Sequence, residues 1–461
     1  MANAVLILTQ YFHPDVAGTG QILTELAVGL RKKGMRVGVI TAQPTYTAAP
    51  RAPRREVHEG VEVERLPLPR FNRRRHVGRI ASAIVFCSLV LARLIFSRNR
   101  DPLLVVTNPP VLPFIALLLC KVRRQPYVCL VHDVYPDAAI RLGYLHERGL
   151  ITRIWERLNV LTYANADTII VLGQCMAETL HRKTPAWRLP PIRVIHNWAD
   201  PDFIVPREKA ANWISARFGT RDKLTVLYAG NMGLFHDIET LIEAARRVQD
   251  RTDIEFLFIG GGGKQHMLVE SVRQGNLTNV QILPYQPRED LPFTLTCGDF
   301  SAVTLVRGME GLSVPAKLYT AHAAGQAILA VVGEGSDVAD IVEESRCGLR
   351  VDQGDADGLV RGLLRCLEQP SLLAEMKANA RRCFEERFTM GQAVRQYHEI
   401  FSRIGTSRRL SPKTEAWAAE EREHEAARDK AWAEERGRER ETARDKAWAE
   451  ERRREHEAAR E

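Results

Sequence analysis

The sequence lacks the features that mark a small secreted domain or a metal-bound domain. Its eight cysteines are scattered over 461 residues, and none forms a CxxC pair or a His/Cys cluster with zinc spacing. This pattern excludes a disulfide framework and a structural zinc site, and it indicates buried, reduced thiols in a cytosolic protein. A basic leader is also missing, because residues 1–4 run directly into an apolar strand. We therefore expect a cytoplasmic protein without a secretory signal peptide.

Negative charge is scarce in one part of the chain. The formal net charge is +8, but residues 411–461 carry 13 Lys/Arg and 16 Asp/Glu, which leaves +11 on the rest. Residues 51–100 alone hold twelve Arg against four Glu. A locally basic body indicates an anionic partner, such as nucleic acid, a phosphorylated ligand or an anionic membrane. Nucleic acid is disfavoured, because no second basic patch with interleaved aromatic residues accompanies the arginines.

Short apolar strands alternate with amphipathic helices over most of the chain, which is typical of parallel sheets covered on both faces. Pro-rich stretches around residues 189–201 indicate a linker near 198–210. We expect an α/β fold with two domains, at 1–198 and 199–387. Strands are predicted at 4–9, 36–41, 61–66, 103–107, 126–131, 168–172, 192–195, 224–228, 255–259, 280–283, 300–304, 327–332 and 349–351. Helices are predicted at 20–33, 77–97, 111–122, 148–165, 173–182, 237–249, 264–274, 316–324, 337–344, 356–367 and 371–386.

The end of the chain, residues 404–461, has a different composition. The sequence ARDKAWAEERGRERET is followed by ARDKAWAEERRREHEA, a repeat of 16 residues. Ala, Glu and Arg favour a helix, but the only regular apolar residues are Trp417, Trp432 and Trp448. We expect a charged, solvated helical tail or a partly disordered one. A helix that binds a protein partner is the alternative.

Residues 70–100 combine an apolar run with arginines at both ends. The apolar centre, 80–96, is short for a transmembrane helix, which needs about 20 residues. The basic flanks, which include Arg73, Arg74 and Arg75, favour contact with an anionic membrane surface. The alternatives are a core helix of the α/β domain with solvated arginines and a helix that spans the membrane.

Glycines and polar residues follow several predicted strands. Gly18, Thr19 and Gly20 lie at a helix start, where free N–H groups and the helix dipole favour an anion such as a diphosphate. Alone this signal is weak, because neither GxGxxG nor GKS/T is present, and an ordinary strand-to-helix turn would look the same. Ligands of such sheets bind beyond the carboxyl ends of the strands. Other residues that follow strands are Asn108, His132, Asp133, Gly230, Asn231, Gly233 and Gly260 to Gly263.

Five motifs in order resemble those of a known family. They are YFHPDVAGTG…LAVGLRKKGMRVGVIT, VTNPPVLPFIALLL, VHDVYPD, YAGNMGLFHDIETLIEAA and GMEGLSVPAKLYTAHAAGQAILAV. Together they resemble the family 4 glycosyltransferases over residues 4–403, and most of all the bacterial branch that builds cell-surface polysaccharides, related to the colanic-acid and N-acetylfucosamine transferases.

The resemblance implies the GT-B fold, in which two Rossmann-like domains face a cleft. The nucleoside diphosphate sugar would bind mainly the C-terminal domain and the acceptor the N-terminal domain. A last helix at 388–403 would cross back onto the first domain. The resemblance also implies transfer with retention at the anomeric carbon, without a metal or other cofactor.

The sequence departs from the family pattern at the donor site. Many members carry an Arg and a Lys that clamp the diphosphate, and these positions are Asn231 and His236 here. A Glu thought to hold the ribose is replaced by Thr320. Lys317 in SVPAKLY is therefore the expected replacement cation, at a helix start whose amides would help to bind phosphate. A solvated surface lysine is the alternative.

The remaining site residues are assigned from the motifs. Gly311, Leu312 and Ser313 would present backbone N–H groups to the donor, and Glu310 would present a carboxylate, unless it is a solvated loop acid. These donors would stabilise the charge that develops on the leaving diphosphate.

Three residues are expected to serve the acceptor. His132 can hydrogen-bond a sugar hydroxyl, and Asp133 can orient or deprotonate the acceptor hydroxyl. A capping Asp133 with a packed His132 is the alternative. Asn108, at a turn before two prolines, is a candidate acceptor contact or a structural residue.

The expected function is transfer of a sugar from a nucleoside diphosphate sugar to a polyprenyl-diphosphate-linked glycan, at the cytoplasmic face of the membrane. A nucleotide-sugar 2-epimerase of the same architecture is one alternative, but it would need no membrane segment. A non-catalytic assembly protein is the other, and the motifs HDVYPD and EGLSVPAK argue against it.

Overall fold

Two β-sheets organise the chain, one in each half, and all their strands but Arg55–His58 are parallel. The computed structural model describes residues 3–15, 18–44, 52–69, 76–184 and 189–407. The chain divides into a unit of Met1–Ser402, which contains both sheets, and a second unit of Arg403–Glu461. The predicted tail lies outside the described residues from residue 408 onward, so its helical state stays a prediction.

The N-terminal sheet has eight strands in the order β3-β4-β2-β1-β5-β6-β7-β8. They are β1 (Ala4–Leu8), β2 (Arg36–Ala42), β3 (Arg55–His58), β4 (Val61–Leu66), β5 (Leu103–Val106), β6 (Tyr127–Val131), β7 (Thr168–Val171) and β8 (Ile192–Val194). All but β3 are predicted by their apolar runs. β3 pairs antiparallel with β4 through a turn at Glu59 and Gly60, which both have positive φ. The sequence did not indicate this hairpin, because the strand is charged and the turn lacks the usual Asn-Gly or Asp-Gly.

The C-terminal sheet is parallel throughout and has the order β11-β10-β9-β12-β13-β14. Its strands are β9 (Leu224–Asn231), β10 (Ile254–Gly261), β11 (Val280–Leu283), β12 (Phe300–Thr304), β13 (Ala327–Val331) and β14 (Gly348–Val351). The central strands are buried along their whole length, because helices cover both faces of the sheet. The predicted α/β fold with two Rossmann-like domains is confirmed.

Helices connect the strands of both sheets. In the N-terminal half they are α1 (Gly18–Lys32), α2 (His76–Ile95), α3 (Leu112–Arg123), α4 (Asp137–Arg141), α5 (Leu150–Ala164) and α6 (Gln174–Lys183). In the C-terminal half they are α7 (Trp213–Arg217), α8 (Glu239–Arg247), α9 (Gln265–Gly275), α10 (Leu291–Leu295), α11 (Lys317–Ala323), α12 (Asp337–Ser345), α13 (Ala356–Glu368), α14 (Pro370–Arg387) and α15 (Met390–Ser407). Helices α4, α7 and α10 are not predicted from the sequence, because five residues are too few to show a helical period.

Helices α2, α3 and α5 lie side by side, with α3 in the middle. Helix α2 buries Phe86 and Val90 on its inner side and exposes Val77, Ile80 and Ile84 on its outer side. Within the described ranges, Val77–Ile95 is the one helix long and apolar enough to cross a bilayer, judged by length and composition. The inner side of α2 is therefore packed as expected for a core helix, while its outer side is apolar and exposed.

The last helix of the first unit packs on the N-terminal domain. A Cβ on Gly29 of α1 would lie 2.6 Å from Cγ2 of Val394, so the two helices are in close contact there. The ring of Tyr397 meets that of Trp198 edge-on, with 6.2 Å between their centroids. Ala199 forms a parallel bridge with Thr389, so the two segments that join the domains run side by side.

Candidate functional site

The two domains meet at the loops that follow β6 and β12. Asp133 of the first domain and Ser313 of the second form an isolated antiparallel bridge. The Val134 amide donates a hydrogen bond to the Leu312 carbonyl at 2.8 Å. These loops follow the carboxyl ends of parallel strands, where ligands of such sheets bind. The structure thus brings the predicted acceptor residue Asp133 beside the predicted donor loop.

His132 is fixed by its backbone and has a free ring nitrogen. Its amide and that of Asp133 both donate to the Thr107 hydroxyl, at 3.0 and 3.3 Å. The side chain is buried, and Nε2 has no hydrogen-bond partner in the described structure. Burial lowers the pKa of His132 to about 4, so the ring is neutral at pH 7. A neutral, buried imidazole can exchange a hydrogen bond with an uncharged hydroxyl.

Asp133 carries a half-buried carboxyl group at the meeting point of the domains. Desolvation raises its pKa, and a hydrogen bond from Ser313 opposes that rise. A carboxyl group with a raised pKa is a better proton acceptor than an ordinary one, and such groups concentrate at functional sites. The capping alternative receives no support at α4, since the residue before that helix, Pro136, makes no side-chain cap.

Asn108 and the first glycines lie at the same edge of the N-terminal sheet. Strands β1, β5 and β6 are adjacent, so the residues that follow them are neighbours in space. Gly20 is closely packed, because a Cβ there would lie 3.2 Å from the Tyr11 Cβ. Gly18 faces open space, so its backbone is accessible. Thr19 lies between them in the first turn of α1.

Glycines shape the matching edge of the C-terminal sheet. Gly230 pairs with Gly260 where β9 and β10 end, and both have positive φ, at 112° and 142°. A Cβ on Gly260 would lie 2.1 Å from the Gly230 carbonyl oxygen. Gly233 is also tight, with 2.8 Å from a Cβ to Nδ2 of Asn231. At Gly260 the clash would be with backbone, so glycine is required there, and the turn leaves a backbone surface open to a ligand.

Lys317 reaches this glycine turn from the start of α11. Its Nζ donates to the Asn231 carbonyl at 3.0 Å and lies 3.5 Å from the centroid of the Tyr228 ring. The side chain keeps partial solvent access, yet desolvation by the surrounding groups holds the pKa of the ammonium well below its usual value. A bound anion would reverse that shift, because opposite charge favours the protonated form.

The two positions that depart from the family pattern are near Lys317. The Asn231 carbonyl binds Lys317 directly, and His236 contacts the Thr304 carbonyl through Nδ1 at 2.8 Å. Burial, together with the nearby Lys317 charge, lowers the pKa of His236 to about 3. The hydroxyl of Thr320 donates to the Lys317 carbonyl at 3.1 Å. Two cations therefore lie in this cluster: Lys317, and Lys264, which donates to the His236 carbonyl at 2.8 Å and is paired with Glu239.

The loop of residues 305–316, called here the 305–316 loop, is more constrained than its sequence indicates. Glu310 accepts hydrogen bonds from the Gly308 amide at 2.6 Å and from the Gln353 amide group at 2.9 Å. The Leu312 amide donates to the Met309 carbonyl at 3.0 Å, so it is already engaged within the loop. Glu310 therefore fixes the conformation of the 305–316 loop and is also a candidate contact of the donor sugar.

Gly311 faces the other domain. It has a positive φ of 66°, and a Cβ there would lie 2.7 Å from the Thr179 hydroxyl oxygen of α6. Its lack of a side chain permits the close approach of the 305–316 loop to α6. Of the three predicted amide donors, Ser313 is the one beside Asp133.

A second contact between the domains has no signal in the sequence. The Asp337 carboxylate accepts hydrogen bonds from the amides at the start of α6, including that of Cys175 at 2.9 Å. Gly173 leaves room for it, since a Cβ there would lie 2.1 Å from Cγ of Asp337. Burial raises the pKa of Asp337 to about 6. Nothing local in the sequence indicates this contact, because Asp337 also reads as an ordinary acidic residue in a first helical turn.

Some predictions lie outside these contacts. Arg73, Arg74 and Arg75 lie outside the described residues, so their membrane role stays a prediction. Within the described ranges, no three His, Cys, Asp or Glu side chains form a group that could hold a metal ion.

Two family models match the chain. The "Glycosyl transferase 4-like domain" matches residues 17–198, and "Glycosyl transferases group 1" matches residues 214–383. Each match falls on one of the two parallel-sheet domains, in the order that the sequence motifs predict.

Two relatives and a solved structure extend this likeness. The glycosyltransferase WbjE of Pseudomonas aeruginosa is 29% identical over 370 residues, which cover 77% of this chain and 88% of WbjE. WcaI of Escherichia coli K12, named for colanic acid biosynthesis, is 25% identical over 415 residues, or 85% of this chain and 98% of WcaI. The structure of Anabaena HepE in complex with UDP and glucose has a TM-score of 0.65 at 17% identity, covering 87% of this chain and 99% of that chain.

The family matches agree with the five motifs and with the paired parallel sheets, and the solved structure has the same two-domain arrangement. The predicted resemblance is confirmed. The chain belongs to the family 4 glycosyltransferases and has their GT-B fold.

Proposed function

We propose that this glycosyltransferase moves a sugar from a nucleoside diphosphate sugar to a polyprenyl-diphosphate-linked glycan during surface-polysaccharide synthesis. The observation that carries the proposal is the meeting of Asp133 with Ser313, at the edge that also holds Lys317 and its glycine turn in the second domain. The name of WcaI supports the polysaccharide product. The UDP and glucose in the HepE structure support a nucleotide-sugar donor.

The donor diphosphate would lie against the turn formed by Gly230 and Asn231, with Lys317 as its cation. When the bond between the anomeric carbon and the phosphate oxygen breaks, negative charge grows on the diphosphate. Preorganised donors at that point lower the barrier because they need no rearrangement during the reaction. The ammonium of Lys317 is held in place by a carbonyl and an aromatic ring, so it is preorganised in this sense.

The acceptor hydroxyl would approach from the N-terminal domain. Asp133 would orient that hydroxyl and receive its proton, and the neutral His132 ring would hydrogen-bond a sugar hydroxyl. In this proposal the acceptor hydroxyl attacks the anomeric carbon from the same face that the diphosphate leaves, so the configuration at that carbon is retained. A double displacement would need a second carboxylate as nucleophile, whereas Glu310 is already bound by Gly308 and Gln353. Side chains and amides balance the diphosphate charge in place of a metal ion.

The acceptor would be reached at the cytoplasmic face of the plasma membrane, where the enzyme binds peripherally. Helix α2 supports this location, because its outer side exposes Val77, Ile80 and Ile84. The arginines at 73–75 are expected to add attraction to anionic headgroups.

A donor panel tests the proposal. The purified protein is incubated with nucleotide sugars, with and without membranes that contain lipid-linked glycans, and products are identified by mass spectrometry. We expect free nucleoside diphosphate and a lipid-linked glycan extended by one sugar, both dependent on the acceptor. An isomerised nucleotide sugar without acceptor would identify a 2-epimerase, and no turnover with any donor would identify a non-catalytic protein.

A further inference from the structure

Exposed apolar side chains concentrate on one side of the N-terminal domain. Sixteen large hydrophobic side chains are exposed among the described residues, and nine of them lie on three neighbouring helices. They are Val77, Ile80 and Ile84 on α2, Leu118 and Val122 on α3, and Leu150, Ile151, Ile154 and Leu161 on α5. These nine residues form what we call the three-helix face. Large exposed apolar patches on soluble domains mark interaction sites.

The charge on the same helices selects the kind of partner. Together, α2, α3 and α5 carry six Lys/Arg and a single acidic residue, Glu156. Five of these six basic residues are exposed, since Arg123 is buried, and one of the five, Arg93, is paired with Glu64 at 2.9 Å. Glu156 is itself paired with Lys183 of α6 at 3.1 Å. The exposed Arg153 and Arg157 lie between the apolar residues of α5. An apolar surface interspersed with arginine suits an anionic bilayer, whereas a second copy of the same face would bring like charges together.

The three-helix face leads to the candidate site. Helices that connect parallel strands run back along the sheet, so the first turns of α2 and α5 lie at the edge where Asp133 follows β6. Val77 and Ile80 belong to the first turns of α2, as Ile151 does in α5.

Aromatic rings fill the space between this face and Asp133. The ring of Tyr135, two residues after Asp133, stacks on Trp155 of α5 with 6.1 Å between centroids. Phe114 of α3 meets Trp155 edge-on at 6.2 Å. Apolar contact is therefore continuous from the exposed helices to the neighbourhood of Asp133.

We propose that the three-helix face lies on an anionic bilayer surface and that the site edge at Asp133 opens towards the lipid headgroups. Helix α5 is as large a part of this surface as α2, although the sequence drew attention only to α2. The inference deepens the proposed function by naming the membrane-binding surface, and it rests on that function only for the identity of the acceptor.

Vesicle flotation tests the surface. We compare binding to phosphatidylglycerol-containing vesicles for the wild type and for the double variant Ile151→Ser, Ile154→Ser. Loss of two apolar side chains from the bound surface should lower the partition coefficient about tenfold. The matched control is Val269→Ser, Tyr285→Ser, which removes two exposed apolar side chains from the C-terminal domain and should bind like the wild type.

Two outcomes would overturn the proposal. One is equal flotation of the Ile151→Ser, Ile154→Ser variant and the wild type. The other is a concentration-dependent dimer without vesicles that this variant abolishes, because the occupant would then be a second copy. Thermal melts of the variants by circular dichroism separate loss of binding from loss of folding.

An environment-sensitive dye tests whether all three helices contact the bilayer or only α2 does. The dye is attached at Ile84→Cys, Leu118→Cys, Ile154→Cys or, as a control, Val269→Cys. The first three positions should show a blue shift on adding anionic vesicles, and the control should not. A shift confined to Ile84→Cys would reject the wider face.

Activity on a water-soluble acceptor distinguishes this inference from the proposed function. If the Ile151→Ser, Ile154→Ser variant transfers sugar to a soluble analogue at the wild-type rate but loses activity on vesicle-borne acceptor, both proposals hold. If the wild type binds vesicles through this face but transfers no sugar to any acceptor, the membrane surface stands and the proposed reaction fails.

Discussion

The two domains present different chemistry at edges that are alike in topology. Each edge lies beyond the carboxyl ends of parallel strands. The N-terminal edge presents side chains, the carboxyl group of Asp133 and the imidazole of His132, in a buried setting. The C-terminal edge presents backbone, shaped by glycines with positive φ, and the cation Lys317. A diphosphate needs N–H groups and positive charge, while an acceptor hydroxyl needs a proton acceptor, so the division fits a two-substrate transfer.

Asp133→Asn should have the largest effect, because it removes the proton acceptor of the N-terminal edge. We expect turnover to fall about 10²- to 10⁴-fold, while donor affinity stays within about threefold, since the loss is confined to the reacting complex. Steady-state kinetics with a soluble acceptor, together with calorimetry of donor binding, measure both. Equal losses of rate and donor affinity would show that Asp133 serves the donor instead.

Lys317→Ala should weaken nucleotide binding at the C-terminal edge and leave the N-terminal edge unchanged. Loss of a charge-assisted hydrogen bond to the diphosphate should cost about 1.5–3 kcal/mol of nucleotide binding. Isothermal calorimetry with nucleoside diphosphates measures the change. Lys223→Ala is the matched control, since Lys223 precedes β9 and pairs with Glu255 at 2.7 Å, at the opposite end of that strand. Unchanged affinity in the Lys317 variant would remove this residue from the donor site.

Gly173→Ala should weaken the contact between the domains. Its φ is ordinary extended backbone, so the cost is steric, from a Cβ that would meet the Asp337 carboxylate at 2.1 Å. We expect the free energy of unfolding to fall by about 1–3 kcal/mol. Gly391→Ala is the matched control, because a Cβ there has only a distant neighbour, at 3.9 Å, and lies in a helix. Urea unfolding curves that coincide for both variants would contradict the close contact.

The pH dependence of nucleotide binding should show a smaller effect. Desolvation holds the pKa of Lys317 low in the free enzyme, and a diphosphate should raise it, so binding takes up a proton between the two pKa values. Affinity should therefore fall as pH rises through that window, by at most about tenfold per pH unit. Calorimetry in buffers with different ionisation enthalpies measures the uptake, which Lys317→Ala should abolish. Uptake that survives in this variant would point to a different group.

The sequence predicts the strands well because a parallel strand buried on both faces is a continuous apolar run. Its predictions are weaker where the signal comes from contacts distant in sequence. β3 is charged and is held by pairing with β4. The Leu312 amide is used within its own loop, which no residue type could reveal.

The same limit explains the two missed surfaces. Asp337 contacts α6 across more than 150 positions of sequence, so it looks like any acid in a first helical turn. The apolar residues of α5 look like core positions, and only the assembled domain shows that Ile151 and Ile154 are exposed. The sequence predicts Lys317 as the donor-site cation because the usual cations are absent at positions 231 and 236, which is a substitution pattern rather than a contact.

The packing of α15 against the first domain has a consequence for how the protein is made. The N-terminal domain is discontinuous, because its surface at Gly29 and Trp198 is covered by Val394 and Tyr397, which are translated after the whole second domain. A ribosome adding about 5–20 residues per second needs on the order of ten seconds or more to deliver that helix after residue 198. During this time the surface of the nascent first domain around Gly29 and Trp198 is apolar and uncovered. A chaperone could bind this surface, and in a chain truncated before residue 390 the surface would stay exposed permanently.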